Sequence, residues 1–418
     1  MNIILGVIVG FLILMGLVVA HEFGHFIAAR RNGVTVKEFG IGFPPRAAAW
    51  VKNPEYEKWK AEQKKHKKTD KSNRPKKWLR LSREEWEKKQ KTLIFSINYL
   101  PIGGFCAMKG ESDSDTTPHS FGTASLWAKT KILFAGVAMN WLAAFIILTG
   151  LAFTGMPTFM DNQFMIDSDS YSKSGIVKVT SVVDDSPAKN AGFEDGDEIV
   201  KIGEYDVYST SDIPIFNHYY ADQEVNYIIR RNDEEKTLNV KLNPVDSEYL
   251  LGITMAQETI PTIRHTWSAP IVAAVNTIQL TGETYRGLGT MVGSFFSGVT
   301  KQFSGDEAVR SEGQKEIKAA GDSVSGPVGI IGVLFPNSIE SGPTTLAFLA
   351  AIISISLACM NVLPIPALDG GRFFLIMLYR LRGKKLTKAT EEKIVSRAFI
   401  FLLILIVLVT ILDVTRFF

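Results

Sequence analysis

The run from Ile3 to Ala29 is apolar and long enough to cross a bilayer, yet it carries His21, Glu22 and His25 within five residues. In hydrocarbon every backbone N–H and C=O must be satisfied within the structure, so such a run is restricted to a helix. On a helix His21 and His25 share a face, and Glu22 lies one step round. Each ionisable side chain at membrane depth costs roughly 2.5–3.5 kcal/mol, so three together require a compensating partner. His-Glu-x-x-His answers that requirement: two imidazoles aimed at one metal ion, and a carboxylate that reaches water beside it. A surface helix can carry the same pattern by chance, but Gly6 to Ala20 is too apolar for a solvated face.

Three further stretches are long and apolar enough to span: Ile132 to Phe153, Leu346 to Ile365 and Ile394 to Leu412. Charge is segregated between them. Arg30 to Lys131 holds 23 Lys/Arg against 11 Asp/Glu, whereas Leu151 to Thr262 holds 8 against 20, so the net charge of +3 conceals two opposed segments. Basic loops mark the cytoplasmic side, which predicts four crossings with both termini outside. The first span has no basic segment ahead of it and leads into the metal motif, which argues against a cleaved signal peptide. Cys106 and Cys359 lie in or beside the membrane, so no disulfide framework is expected.

A catalytic zinc takes three protein ligands and keeps a position for water. Asp369 is the acid near the deep part of the third span, in the run Asn361-Val362-Leu363-Pro364-Ile365-Pro366-Ala367-Leu368-Asp369-Gly370-Gly371. Two alternating prolines remove helical hydrogen bonds, so the span must break before Asp369. Irregular backbone at that depth is tolerated only under protein or beside a water-filled cavity. Asp369 could cap a following helix, Gly370 to Leu381, but capping alone does not explain the break, and the third-ligand role is favoured. Asn361 and Asn140 are amides inside spans, suited to a substrate backbone or a developing oxyanion, or else to helix-to-helix hydrogen bonding.

His21-Glu22-Phe23-Gly24-His25 together with Asn361 to Gly371 resembles the site-2 protease family of intramembrane zinc metalloproteases, and within it the bacterial regulator-of-sigma-E protease branch. The likeness runs through nearly the whole chain. It implies one Zn2+ per chain held by His21, His25 and Asp369, with Glu22 as the catalytic acid and base. It also brings in Phe39-x-Ile41-Gly42-Phe43, Gly103-Gly104, Ala135-Gly136 with Asn140, and Ser325-Gly326-Pro327 as shared patterns. Thr92 to Met108 resembles the family's membrane-reentrant β-loop, whose edge could add an unwound substrate as a strand, with Gly103 and Gly104 among the substrate-binding residues. Val137 stands where the family usually has proline after Ala-Gly, and one PDZ-like module is present where some members carry two.

The expected fold is a polytopic α-helical membrane protein with four transmembrane helices, a membrane-reentrant β-loop and an extracytoplasmic PDZ-like α+β domain. Its expected parts are a first transmembrane helix and loop (1–50), a basic cytoplasmic insertion (51–90), the reentrant loop (91–112) and a second transmembrane helix (127–155). There follow the PDZ-like domain (170–258), read as short strands around one helix that starts at Ser186-Pro187-Ala188, and an amphipathic outer-surface region (263–305). The broken third span (344–382) and the last helix (394–413) complete the chain. The insertion, with Lys64-Lys65-His66-Lys67-Lys68 and Trp59, Trp78 and Trp86, suits anionic lipid heads rather than nucleic acid, or is a solvated helical hairpin. The resemblance implies single-span membrane proteins as substrates, such as pre-cleaved anti-sigma factors and remnant signal peptides. It also implies an upstream site-1 protease and a place in the bacterial inner membrane. A non-catalytic membrane scaffold that binds exported peptide C-termini through the PDZ is the alternative; it requires a missing ligand or base, and all four residues are present.

Overall fold

The computed structural model describes residues 2–53, 55–56, 58–59, 75–82, 93–160, 162–173, 176–257, 262–323, 325–384 and 386–417. They form two compact units, one of residues 1–146, 277–340 and 349–418, the other of residues 147–276 and 341–348. Among the described residues four helices are long and apolar enough to cross a membrane, as the sequence predicts. They are α1 (Asn2–Arg31), α2 (Leu126–Thr154), α8 (Pro343–Val362) and α10 (Lys388–Phe417).

In the first unit, α1 stops where its apolar run meets Arg30 and Arg31. Gly33 takes a left-handed φ of +78°, and the Val34 N–H returns to the Ala29 carbonyl at 2.9 Å, closing the last turn. Two long strands follow, β1 (Val36–Lys52) and β3 (Ile94–Met108), with the short β2 (Trp78–Arg80) paired to the end of β1. Each long strand is bent double. Glu38 therefore faces both Ala107 and Ile94, and Ile41 faces both Gly104 and Ile97, so the first limb of β1 lies between the two limbs of β3. The bend in β1 is tied by the Arg46 guanidinium, whose Nε–H reaches Glu38 Oε1 at 2.9 Å, and the Asn98 amide donates to the Gly42 carbonyl at 3.0 Å. The limb Gly104–Met108 pairs with β1 on one side only, which leaves its other edge open among the described strands.

The sequence placed strand structure at Thr92 to Met108 and assigned none to its partner: Val36–Lys52 carries Gly40, Gly42, Pro44 and Pro45, residues that read as turns. The three residues of β2 lie inside the basic insertion, so this part of it is strand rather than helical hairpin. Lys64 to Lys68 and Trp86 lie outside the described residues. A core of Phe26, Phe39, Cys106, Phe121, Ile132 and Ile376 packs α1, the sheet, α2 and α9 (Asp369–Leu381) together. Cys106 and Cys359 are both buried and unpaired.

The second unit holds an antiparallel sheet in the order β10-β9-β7-β6-β11. Its strands are β6 (Val177–Val182), β7 (Glu198–Ile202), β9 (Glu224–Arg231), β10 (Glu234–Lys241) and β11 (Ile253–Gln257), with β8 (Tyr205–Asp206) on the flank of β7. Val177, Ile199, Ile202, Tyr227, Ile229 and Val240 form its core, each at most 2% exposed. The helix expected at Ser186 is α3 (Pro187–Ala191): the Ser186 hydroxyl accepts the Lys189 N–H at 3.2 Å, Pro187 takes the first turn, and Gly192 closes it at φ +87°. A second helix, α4 (Asp212–Tyr219), corrects the expectation of one. Pro214 lies in its first turn, where proline removes no hydrogen bond.

A small sheet in the order β4-β12-β5, from Met156–Pro157, Thr262–His265 and Ser170–Lys173, completes this unit. The region expected to be an amphipathic helix contains the 33-residue α5 (Ala269–Lys301), followed by α6 (Glu307–Asp322) and α7 (Phe335–Glu340).

Candidate metal centre and active site

All the residues that meet here belong to the first unit. His21 and His25 project from one face of α1 and are 8% and 7% exposed. The third span ends at Val362, the chain crosses Leu363–Leu368 without helix, and α9 starts at Asp369. Asp369 does not cap that helix: Leu368 holds the cap position, and Asp369 is the first helical residue. Its carboxylate points at the histidines. Asp369 Oδ2 lies 3.0 Å from His21 Nε2 and 3.2 Å from His25 Nε2, and the two Nε2 atoms are 3.1 Å apart.

This triangle provides the fit test for a metal. Ligands at about 2.0–2.1 Å from a tetrahedral zinc stand roughly 3.3 Å from one another, so three donors of the zinc type already occupy one face of such a site. Glu22 stands beside them, its carboxylate and the two imidazoles presenting ligand atoms within 4.8 Å of one another. The His25 ring is further fixed by its Nδ1–H, which donates to the Ile132 carbonyl at 2.7 Å and leaves Nε2 with its lone pair toward the triangle.

Close backbone approach makes this arrangement possible. A Cβ on Gly136 would lie 2.6 Å from Nε2 of both His21 and His25, so a side chain at this position in α2 would occupy the space of the ligand atoms. A Cβ on Gly24 would lie 2.3 Å from the Ala135 carbonyl oxygen, which sets how closely α1 and α2 cross. On the sheet side, Gly104 faces Glu22, with its Cβ direction 3.7 Å from Glu22 Cγ. Gly103 adopts φ +74° at the bend of β3, against Phe43 and Val18.

The two asparagines expected at the substrate meet other neighbours. The Asn361 amide donates to the Leu357 carbonyl at 3.0 Å, one turn back in its own helix. Asn140 is 1% exposed and lies against His21 on the side of Nδ1, the ring nitrogen opposite the one that faces Asp369. The Asn140 contact does not follow from helical spacing, because it depends on the rotation of one span against another, whereas that of Asn361 is local to its own helix.

A cavity of 690 Å³ opens from Asp369, between Ala107 and Met108 on the β3 edge and Pro366–Leu368 on the broken span. Its far wall carries a hub that sequence reading did not identify. Glu391, 4% exposed, accepts the Ser112 hydroxyl at 2.8 Å and the Asp113 N–H at 3.1 Å, and pairs with Arg372 Nε at 3.3 Å. Arg372 also donates to the Glu111 carbonyl. Glu391 lies in a basic, exposed-looking stretch, and nothing local distinguishes it from Glu392. Asp413, at the end of the last span, is 2% exposed and accepts the N–H groups of Gly326 and Gly329 at 3.1 and 2.7 Å. The signal for it was present, since an acid in an apolar span needs a partner.

Comparison with known proteins gives the family of the chain. The family model described as peptidase family M50 matches residues 9–57 and 79–406. A protein of Clostridium perfringens named as a zinc metalloprotease is 28% identical over 411 residues, covering 98% of each chain. A similarly named Staphylococcus aureus protein is 27% identical over 464 residues, again covering 98% of each. The regulator of sigma-W protease RasP of Bacillus subtilis is 26% identical over 462 residues, covering 98% of this chain and 99% of its own. Among solved structures, the PDZ domain of an SdrC-like protein from Listeria monocytogenes is 25% identical over 20% of this chain and 90% of that domain, with a TM-score of 0.18.

Proposed function

The chain belongs to peptidase family M50 and is a membrane metalloprotease, and from that premise we propose that it cuts single-span membrane proteins within the bilayer, at one zinc held by His21, His25 and Asp369. The observation that carries the reading is the triangle of Nε2, Nε2 and Oδ2 atoms with Glu22 beside it, at membrane depth and open to a cavity.

Zinc, when bound there, supplies a Lewis acid that polarises a peptide carbonyl and brings the acidity of a water toward neutral pH. Glu22 takes the water proton as the new bond to the carbonyl carbon forms, then returns it to the leaving amine.

A transmembrane substrate hides its peptide bonds in its own helix, so it must enter locally unwound. The limb Gly104–Met108 has no second strand on its outer edge, and a substrate strand added there, in place of the Glu111 carboxylate that now takes the Met108 N–H, would pass Glu22 and Asp369. Gly103 and Gly104 keep that edge free of side chains facing the first helix.

The topology that fits the charge segregation has both termini outside and the sheet of the second unit, a PDZ-like module, on the extracytoplasmic side of a bacterial inner membrane. There it would meet substrates already shortened by an upstream protease, truncated anti-sigma factors and remnant signal peptides among them. α5 would lie at the outer lipid surface. The test is zinc analysis of the detergent-purified chain alongside cleavage of a model single-span peptide by wild type and Glu22→Gln. One zinc in both proteins with cleavage by wild type alone supports the reading; wild type without zinc overturns it.

A further inference from the structure

His25 shows what an imidazole needs in order to ligate through Nε2: a proton on Nδ1 with an oxygen to receive it, here the carbonyl of Ile132 at 2.7 Å. His21 presents Nε2 to the same triangle and therefore has the same need. Its Nδ1 lies 3.4 Å from the side-chain amide nitrogen of Asn140. That pairing is the wrong one for a ligand. An amide N–H donating to Nδ1 would place the ring proton on Nε2, where the lone pair has to be. At 3.4 Å it is also at the outer limit of a hydrogen bond.

Asn140 carries a second sign of the same mismatch. Its Oδ1 is buried and finds no hydrogen-bond partner among the described residues. Oxygen and nitrogen of a carboxamide have nearly the same shape, and a half-turn about the last side-chain bond exchanges them. The exchange gives the orphaned oxygen a donor and gives His21 the tautomer that ligation requires. One rotation thus answers both, with the amide nitrogen taking the place of the oxygen.

We infer that Asn140 is a positioning residue for the metal centre, its Oδ1 accepting the His21 Nδ1–H and so presenting the Nε2 lone pair to zinc. The surroundings hold it there. Ser354, fully buried in α8, donates its hydroxyl to the Asn140 backbone carbonyl at 2.8 Å, and Gly136, one turn earlier in α2, leaves the space between the ring and the helix backbone clear. The inference rests on the zinc-protease reading above, but it concerns metal affinity and is decided by that measurement.

The experiment uses the full chain in detergent, stripped of metal and titrated with zinc against a chromophoric chelator, for wild type, Asn140→Asp and Asn140→Leu. Losing the acceptor in Asn140→Leu is expected to weaken zinc about 10–100-fold. Asn140→Asp, which keeps an oxygen at Nδ1, is expected to stay within a few-fold of wild type. Cobalt-loaded Asn140→Asp should show a shifted visible band, because a carboxylate makes the His21 ring a stronger donor. The metal-free forms should unfold at similar temperatures. A residue that only packed helices together would lower those temperatures in both variants and weaken zinc in both alike, and that result overturns the inference, as does wild-type affinity in Asn140→Leu. Should Asn140→Leu not fold, Asn140→Asp decides alone: retained zinc supports the acceptor role, and lost zinc refutes it. A wild type that cleaves no peptide yet separates the two variants in this way fails the peptidase reading and supports the inference.

Discussion

Nε2 of His21 lies 3.0 Å from Oδ2 of Asp369 although 348 residues separate them in the chain. The contact exists because the third span breaks at Leu363–Leu368 and restarts at Asp369, which turns the carboxylate back toward α1. Asp369→Asn replaces a charged donor with a weak neutral one. It should weaken zinc by more than the roughly 10–100-fold typical of losing an outer hydrogen-bond partner. Equilibrium dialysis of zinc checks this; unchanged affinity would remove Asp369 from the ligand set.

Glu22→Gln preserves shape but can no longer carry a proton. Turnover of a model single-span peptide should fall about 10²–10⁴-fold, the usual worth of a general acid or base, with zinc content unchanged. Normal proteolysis by this variant would sink the mechanism.

Gly136→Ala would put a methyl group 2.6 Å from Nε2 of both histidines. Because the clash is with the ligand atoms, zinc content should drop sharply while helix content by circular dichroism is kept. Gly150→Ala, further along the same helix with nothing within 4 Å of its added methyl, is the matched control and should bind zinc normally.

Asp413→Ala would orphan two buried N–H groups, those of Gly326 and Gly329. Each unsatisfied buried donor costs about 1–3 kcal/mol, so thermal unfolding in detergent should move down by several degrees. An unchanged midpoint would show that the last span does not dock on the Gly326–Gly329 segment in solution.

Asp169, in the second unit, is worked by opposed effects. Burial acts to raise its pKa, but the hydroxyl and N–H groups of Ser268 and Thr266 all donate to its carboxylate and hold it well below the ordinary range. A group whose folded pKa is depressed contributes stability above its unfolded pKa of about 3.9 and loses it as pH falls toward the folded value. Protection of the Thr262–His265 amides against hydrogen exchange, taken relative to the intrinsic rate at each pH, should therefore fall on acidification below about pH 4 in wild type. In Asp169→Asn that protection should be low already at neutral pH and change less. Equal protection of the two proteins at pH 7 would refute the contribution.

Much of the site was legible because its signals are local. An apolar run needs no tertiary context to demand a helix, so His21, Glu22 and His25 could be placed on neighbouring positions of one face from spacing alone. Pro364 and Pro366 remove backbone donors wherever they sit, so the break before Asp369 was equally plain. Val36–Lys52 was not legible as a strand, because its glycines and prolines are turn formers in isolation and are tolerated here only where the strand bends between the two limbs of β3. α4 was not legible either, since a proline is tolerated only in a first helical turn and its place there is visible only once the helix start is known.

By itself, then, the sequence determined the four spans, the metal-binding residue types and the segregation of charge, since apolar length, helical spacing and proline chemistry act over a few residues. Tertiary structure alone decided which atoms those residues meet. It set Asn140 against His21 Nδ1, joined Asp413 to Gly326 and Gly329, and gathered Ser112, Asp113 and Arg372 on Glu391. Those pairings depend on how each helix is rotated and on where distant backbones approach within a few ångströms. Buried packing and hydrogen bonding between segments set these contacts, and no single segment encodes them.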